Sequence, residues 1–179
     1  MPLPPEAGST QANRFMTTTG FRHRLALTIR RVPALVRMIY YVYRLIQPKY
    51  TVGVCGIVFN DQNRVLLVEH VFHPSLPWGL PGGWTNSDEH PADAVQRELR
   101  EELELIVDVQ TLVRLEKTKR NHLDMAFLCH ASNDTGSLSF ELIGLRWCDT
   151  DELPQLHRFQ YDAIMQAKSM REAAYVTAH

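Results

Sequence analysis

The stretch Gly83-Trp-Thr-Asn-Ser-Asp-Glu89-His-Pro91-Ala-Asp-Ala-Val-Gln-Arg97-Glu98-Leu99-Arg100-Glu101-Glu102-Leu103-Glu104-Leu105 decides the reading of this chain. It has the form G-x5-E-x7-R-E-L-x-E-E. Pro91 suits a first helical turn and predicts a helix over about 91–103. On that helix Val95, Leu99 and Leu103 make an aliphatic face for a sheet. Glu98, Glu101 and Glu102 fall within roughly one quadrant at about 100° per residue. Like charges at i,i+4, such as Glu98 and Glu102, repel by a few tenths of a kcal/mol. A divalent cation would turn that repulsion into attraction, and hard oxygen ligands suit Mg2+ or Mn2+. The competing reading is a solvated helix face laced with ion pairs such as Arg97 with Glu101. The Gly-Gly turn and Glu89 at fixed offsets favour the metal.

These residues resemble the signature box of the Nudix hydrolases, G-x5-E-x7-R-E-U-x-E-E-x-G-U, where U is a bulky aliphatic. Gly83, Glu89, Arg97, Glu98, Leu99, Glu101, Glu102 and Leu105 all match, and Glu104 stands where the family has glycine. The box covers about an eighth of the chain. The resemblance implies an α/β fold, an α/β/α sandwich with a mixed β-sheet. It also implies hydrolysis of a pyrophosphate bond in a nucleoside diphosphate linked to another group. In that chemistry divalent cations neutralise phosphate oxygens, polarise phosphorus and acidify water. By the same resemblance the Gly82 carbonyl, Glu98, Glu101 and Glu102 are expected as metal ligands. Glu98 is a further ligand or the base, and Arg97 would orient it. Glu89 would act structurally or reach a metal through water.

Glu141, Trp147 and Asp151-Glu152-Leu153-Pro154 resemble a further family arrangement, which makes Glu141 a second candidate base or distant ligand; a solvent-facing glutamate is the alternative. Three positions depart from the pattern. Glu104 would cost about 1 kcal/mol if the backbone stays left-handed there. Asp88 replaces a frequent glycine, adding charge or capping the helix. His90 replaces the usual Ser or Thr.

The substrate is less legible. Leu80-Pro81-Gly82-Gly83 lets backbone approach a phosphate, because glycine lacks a Cβ. Trp78, Trp84 and Phe72 flank that turn and would either stack on a flat group or pack. Lys117, Lys119, Arg120 and His122 could meet phosphates or form a solvated hairpin turn. His73 is an acid/base candidate by type alone. The downstream proline of ADP-ribose hydrolases and the tyrosine of dinucleoside polyphosphate hydrolases are absent from Arg120–Leu123. A small phosphorylated metabolite, in the first place a nucleotide, is the expected substrate. A non-catalytic nucleotide-binding module is the rival, against which the intact E-x-x-E-E argues.

Outward from the box, Thr51 to Phe59 reads as a buried strand and Arg64 to Glu69 as a second, joined by Asn60–Asn63 into a hairpin. Further strands are expected near 106–117, 122–131 and 137–148, and a helix from about 158 to 173. The hydrolase-type domain spans 49–179. Before it, residues 1–20 are Pro-rich and polar, lack the apolar run of a signal peptide, and read as a disordered tail. Residues 21–48 read as a basic amphipathic helical extension, with Leu25, Ile29, Val32, Val36, Ile39, Tyr43 and Ile46 on one stripe and a restart at Pro33.

Net charge is −1, but from Ala7 to Asn60 there are eight Arg/Lys and no acid, whereas from Asp61 nineteen acids face eleven bases. That asymmetry is a partner signal. Three roles compete for residues 21–47: an anionic membrane surface, a homodimer contact, or a cap on the chain's own domain. The high apolar content disfavours nucleic acid. Cys55, Cys129 and Cys148 show no paired spacing and read as free thiols of a cytoplasmic protein.

Overall fold

The computed structural model describes residue 20 and residues 32–177. The chain divides into two compact units between Pro48 and Lys49. The expected tail, Gly20 apart, and the expected helix over 21–31 lie outside the described residues. The first unit contributes helix α1, Pro33–Ile46. Pro33 occupies its first turn, where a missing N–H costs nothing. Arg44 in the last turn complements the helix dipole. Gln47 leaves the helix in extended conformation ahead of Pro48, as the clash of a proline ring with a helical predecessor requires.

The second unit comprises β1 (Thr51–Val58), β2 (Val65–His70), β3 (Trp78–Gly79), β4 (Gly82–Trp84), α2 (Pro91–Leu103), β5 (Val107–Lys119), β6 (His122–Ala131), β7 (Leu142–Cys148) and α3 (Arg158–Thr177). One sheet runs β4-β1-β6-β5 and the other β3-β2-β7. The β1–β6 pair is parallel; all other pairs are antiparallel.

Strand alternation builds two cores. From β1, Val54 and Val58 face one side with Leu66, Val68, Phe127 and Cys129, and meet Val95, Leu99 and Leu103 of α2. The intervening Cys55 and Ile57 face the other side with Val65, Leu67, Ala126 and Leu128, and meet Phe159, Ala163, Ile164 and Ala167 of α3. Strands buried on both faces need apolar residues at every position, which is why β1 and β2 read as continuous runs. The result is the expected α/β/α sandwich with mixed strand pairing. All three cysteines are free and buried.

Two expectations are corrected. β1 and β2 do not form a hairpin; they share only the bridge Phe59↔Val65. Both edges of β1 are already taken, by β4 and by β6, so β2 pairs with β3 and β7 instead. The strand expected over 137–148 starts only at Leu142. The preceding residues serve α2: Gly136 and Ser139 donate backbone N–H groups to the terminal carbonyls of Leu103 and Glu102, at 2.8 and 2.9 Å. Orphan carbonyls at a helix end need such donors.

Candidate active site

The turn between β3 and β4 is shaped by crowding. Gly82 has φ +151°, and a Cβ there would collide with the Val54 carbonyl oxygen of β1. A Cβ on Gly83 would lie 2.5–2.6 Å from the carboxyl atoms of Glu98. Only glycine lets β4 pair with β1 while the Glu98 carboxyl presses on the next backbone unit.

Helix α2 carries the acidic cluster toward this turn. His90 caps it, its Nδ1 accepting from the Ala92 N–H at 3.2 Å, so capping falls to His90 rather than Asp88. Asp88 has φ +67° and Glu104, the residue closing the helix, φ +54°. Both positions where glycine is usual in the family pattern are therefore left-handed here. Glu104 also makes contacts: its carbonyl accepts from Asn133 Nδ2 at 2.9 Å, and its side chain lies where a Cβ on residue 136 would sit.

Arg97 is the hub. Its Nε and Nη2 donate to the two oxygens of Glu89 at 2.8 and 3.0 Å. Its Nη1 donates to Glu98 Oε1 at 2.9 Å and Glu101 Oε2 at 3.1 Å. Nη2 also reaches the Trp84 carbonyl at 3.0 Å, tying α2 to β4. These bonds, with one from the Asn86 N–H, hold the Glu89 carboxyl down to about 2 and keep Arg97 firmly protonated. The i,i+4 ion pair and the converging carboxylates thus coexist.

Glu102 is the one buried charged-type residue among the described residues, 6% exposed. Its Oε2 accepts from the Gly82 N–H at 3.0 Å. Burial above all, with the charges of Glu98, Glu141 and Glu101, pushes its carboxyl up to about 8 against that bond. Among the described residues, no three acidic, histidine or cysteine side chains stand already gathered at ligand distances. The donor set nonetheless fits a hard divalent cation: all-oxygen, carboxylate-rich, and with one buried carboxyl lacking a cationic partner.

Beside the glycine turn opens a cleft of about 420 Å³. His70, His73, Trp78, Trp84, His122 and Gln160 are among its walls. Thr118, His122 and Asp124 of its lining belong to a hydrogen-bonded chain that ends on Thr51, outside the cleft. Thr51 Oγ1 lies 2.8 Å from His122 Nδ1, His122 Nε2 lies 3.1 Å from Asp124 Oδ1, and Asp124 Oδ2 accepts from Thr118 Oγ1. The His122 ring lies 4.8 Å from that of Trp84. Trp78 carries Arg146 over its ring at 4.1 Å. Burial, then the neighbouring His73, lowers the pKa of His70.

A NUDIX domain model matches residues 49–167. The chain belongs to the Nudix hydrolase family. A MutT-like protein of Streptomyces ambofaciens is 31% identical over 60% of this chain and 70% of its own. Among solved structures, a MutT Nudix hydrolase from Burkholderia pseudomallei is 28% identical, with TM-score 0.58 over 66% of this chain and 98% of that one. An ADP-ribose pyrophosphatase from Streptococcus suis 89-1591 is 25% identical, with TM-score 0.57 over 68% and 92%.

In this Nudix site, Gly82, Gly83, Arg97, Glu98, Glu101 and Glu102 come together. Glu141 lies in the turn before β7, near enough to raise the Glu102 pKa. Trp78 lines the cleft, whereas Arg120 sits in the β5–β6 turn and does not; its neighbour Lys119 does. Phe72 is exposed away from the cleft, and His73 lines it. The sequence reading missed Thr51, His70, Thr118, Asp124 and Gln160. They come from five separate segments with no shared spacing, so only the fold assembles them. Asp124 carried a faint signal, an acid amid the apolar residues of β6.

Proposed function

We propose that this chain hydrolyses the pyrophosphate bond of a nucleoside diphosphate linked to another group, with Mg2+ or Mn2+ as cofactor. The observation that carries this reading is Glu102: a buried carboxyl bonded to the turn glycine, whose pKa is raised by burial and by the charges of Glu98, Glu141 and Glu101. An ordinary surface helix has no reason to bury it so.

Glu101, Glu102 and the Gly82 carbonyl would hold the cation, with Glu98 either a further ligand or the base. When bound, the cation supplies charge neutralisation for the diphosphate and acidifies the attacking water. Glu98 takes the proton from that water as the nucleophile approaches phosphorus, with Glu141 the second candidate for this task. Arg97 fixes the Glu98 carboxyl through its 2.9 Å bond and Glu101 through its 3.1 Å bond. The bare Gly83 backbone receives the diphosphate. The cleft receives the rest of the substrate, with Trp78 and Trp84 offering flat faces to a base or another planar group. Arg120, at the mouth of the β5–β6 hairpin, attracts phosphate from outside. The name of the Streptococcus suis neighbour supports a nucleotide substrate. Free buried thiols support a cytoplasmic setting.

A screen of nucleoside diphosphate derivatives with Mg2+ and Mn2+, reading released phosphomonoester, tests the reading. Glu98→Gln is expected to lower turnover at least about a hundredfold. Full Mg2+-dependent activity in that variant would remove Glu98 from the mechanism. Nucleotide binding without turnover of any derivative would favour the non-catalytic module.

A further inference from the structure

We propose that α1, with the basic residues around it, docks this protein on an anionic lipid surface. No residue of α1 is buried. Tyr40, Tyr41, Val42, Tyr43, Leu45 and Ile46 are each more than half exposed. Placed at about 100° per residue, Arg37 and Arg44 fall within about 20° of one another, with Tyr40 on one side of them and Tyr41 on the other. This Tyr-Arg-Arg-Tyr strip takes up about 100° of the circumference, and aliphatic residues and Tyr43 fill nearly all the remainder.

The width of the apolar arc selects the occupant. A two-stranded helical seam covers a narrow stripe, and α1 spans only two heptads. Pairing with a second copy through Val36, Ile39, Tyr43 and Ile46 would leave Met38 and Leu45 in water on the flank. A lipid surface accepts a broad apolar arc. Tyrosines at its margin and arginines above it match the layering of an interface, where aromatic rings sit at headgroup depth and arginine reaches phosphate. Among the described residues no helix is long and apolar enough to cross a membrane, so α1 would lie in the surface. Charge completes the match. Eight Arg/Lys and no acid between Ala7 and Asn60 attract an anionic surface, whereas the acidic remainder is repelled by it.

Sedimentation of the full chain with phosphatidylcholine vesicles, with and without phosphatidylserine, tests this at low and high salt. Retention is expected on the serine-containing vesicles alone, weakening as salt rises. R37Q/R44Q is expected to weaken that binding about thirtyfold, at about 1 kcal/mol per basic residue. Ile39→Glu is expected to abolish it. Both variants lie outside residues 49–167, so thermal unfolding should stay as in the parent chain and serves as the folding control. Retention on both vesicle types or on neither overturns the proposal. So does anionic binding that survives both variants. A dimer in sedimentation velocity that Ile39→Glu dissociates, without lipid retention, would assign the face to a second copy instead.

Discussion

Glu102 couples the stability of the metal-free protein to pH. Its folded pKa of about 8 lies above the ordinary carboxyl value of 4.5, so between those limits the native state holds a proton that the unfolded state has lost. Stability from this group is therefore fully present below about 4.5 and is lost as pH rises toward 8, on the order of 1 kcal/mol per unit. In EDTA the melting temperature should fall across that window, and Mg2+ should restore it, since a bound cation needs the deprotonated form. A flat profile in EDTA would mean Glu102 is not the proton-holding group. Glu104 makes the opposite kind of statement. Glutamate in a left-handed conformation pays a steric cost that glycine does not. Glu104→Gly should stabilise the domain by up to about 1 kcal/mol, a rise of about 3–5 °C in melting temperature, with turnover unchanged. A lower melting temperature would show that the contacts with residues 133 and 136 outweigh the strain.

At the scale of elements, α2 and β4 act as one unit because Arg97 ties Glu89, Glu98, Glu101 and the Trp84 carbonyl together. Gly83→Ala would push a methyl group into the Glu98 carboxyl. A displacement of about an ångström is expected to cost about a hundredfold in kcat, with KM changing far less, because Glu98 acts on the reacting water. Equal losses in kcat and melting temperature would point to a folding defect instead. This pairing also shows what a sequence can disclose. The box places its carboxylates by helical spacing, and Pro91 and the Val95-Leu99-Leu103 face mark out α2 without further help. The Gly82 and Gly83 requirement is legible as glycine but not as a collision, since the colliding atoms belong to β1 and α2. The hairpin expectation failed for a similar reason: Asn60–Asn63 is a good turn, but the partners of β1 lie far along the chain. The Thr51–His122–Asp124–Thr118 chain was invisible because strand pairing alone brings its members together.

At the scale of the whole 49–179 unit, two apolar layers share the strands between them, and each is closed by its own helix. Leu99 is fully buried at the centre of the α2 layer. Leu99→Ala should cost about 2–5 kcal/mol and move the acidic cluster with it, so chemical denaturation and activity should fall together. Val176→Ala, on an exposed position of α3, should change neither. The three thiols are distributed unevenly over this plan. Cys129 lies in the α2 layer, and Cys55 and Cys148 in the α3 layer. Burial pushes all three up, Cys129 to about 12. An alkylating reagent, which consumes only thiolate, can reach them only when a layer lifts. The protein thus carries one built-in reporter of opening on the acidic-cluster side and two on the other. Comparing their alkylation rates would tell which half of the sandwich breathes first.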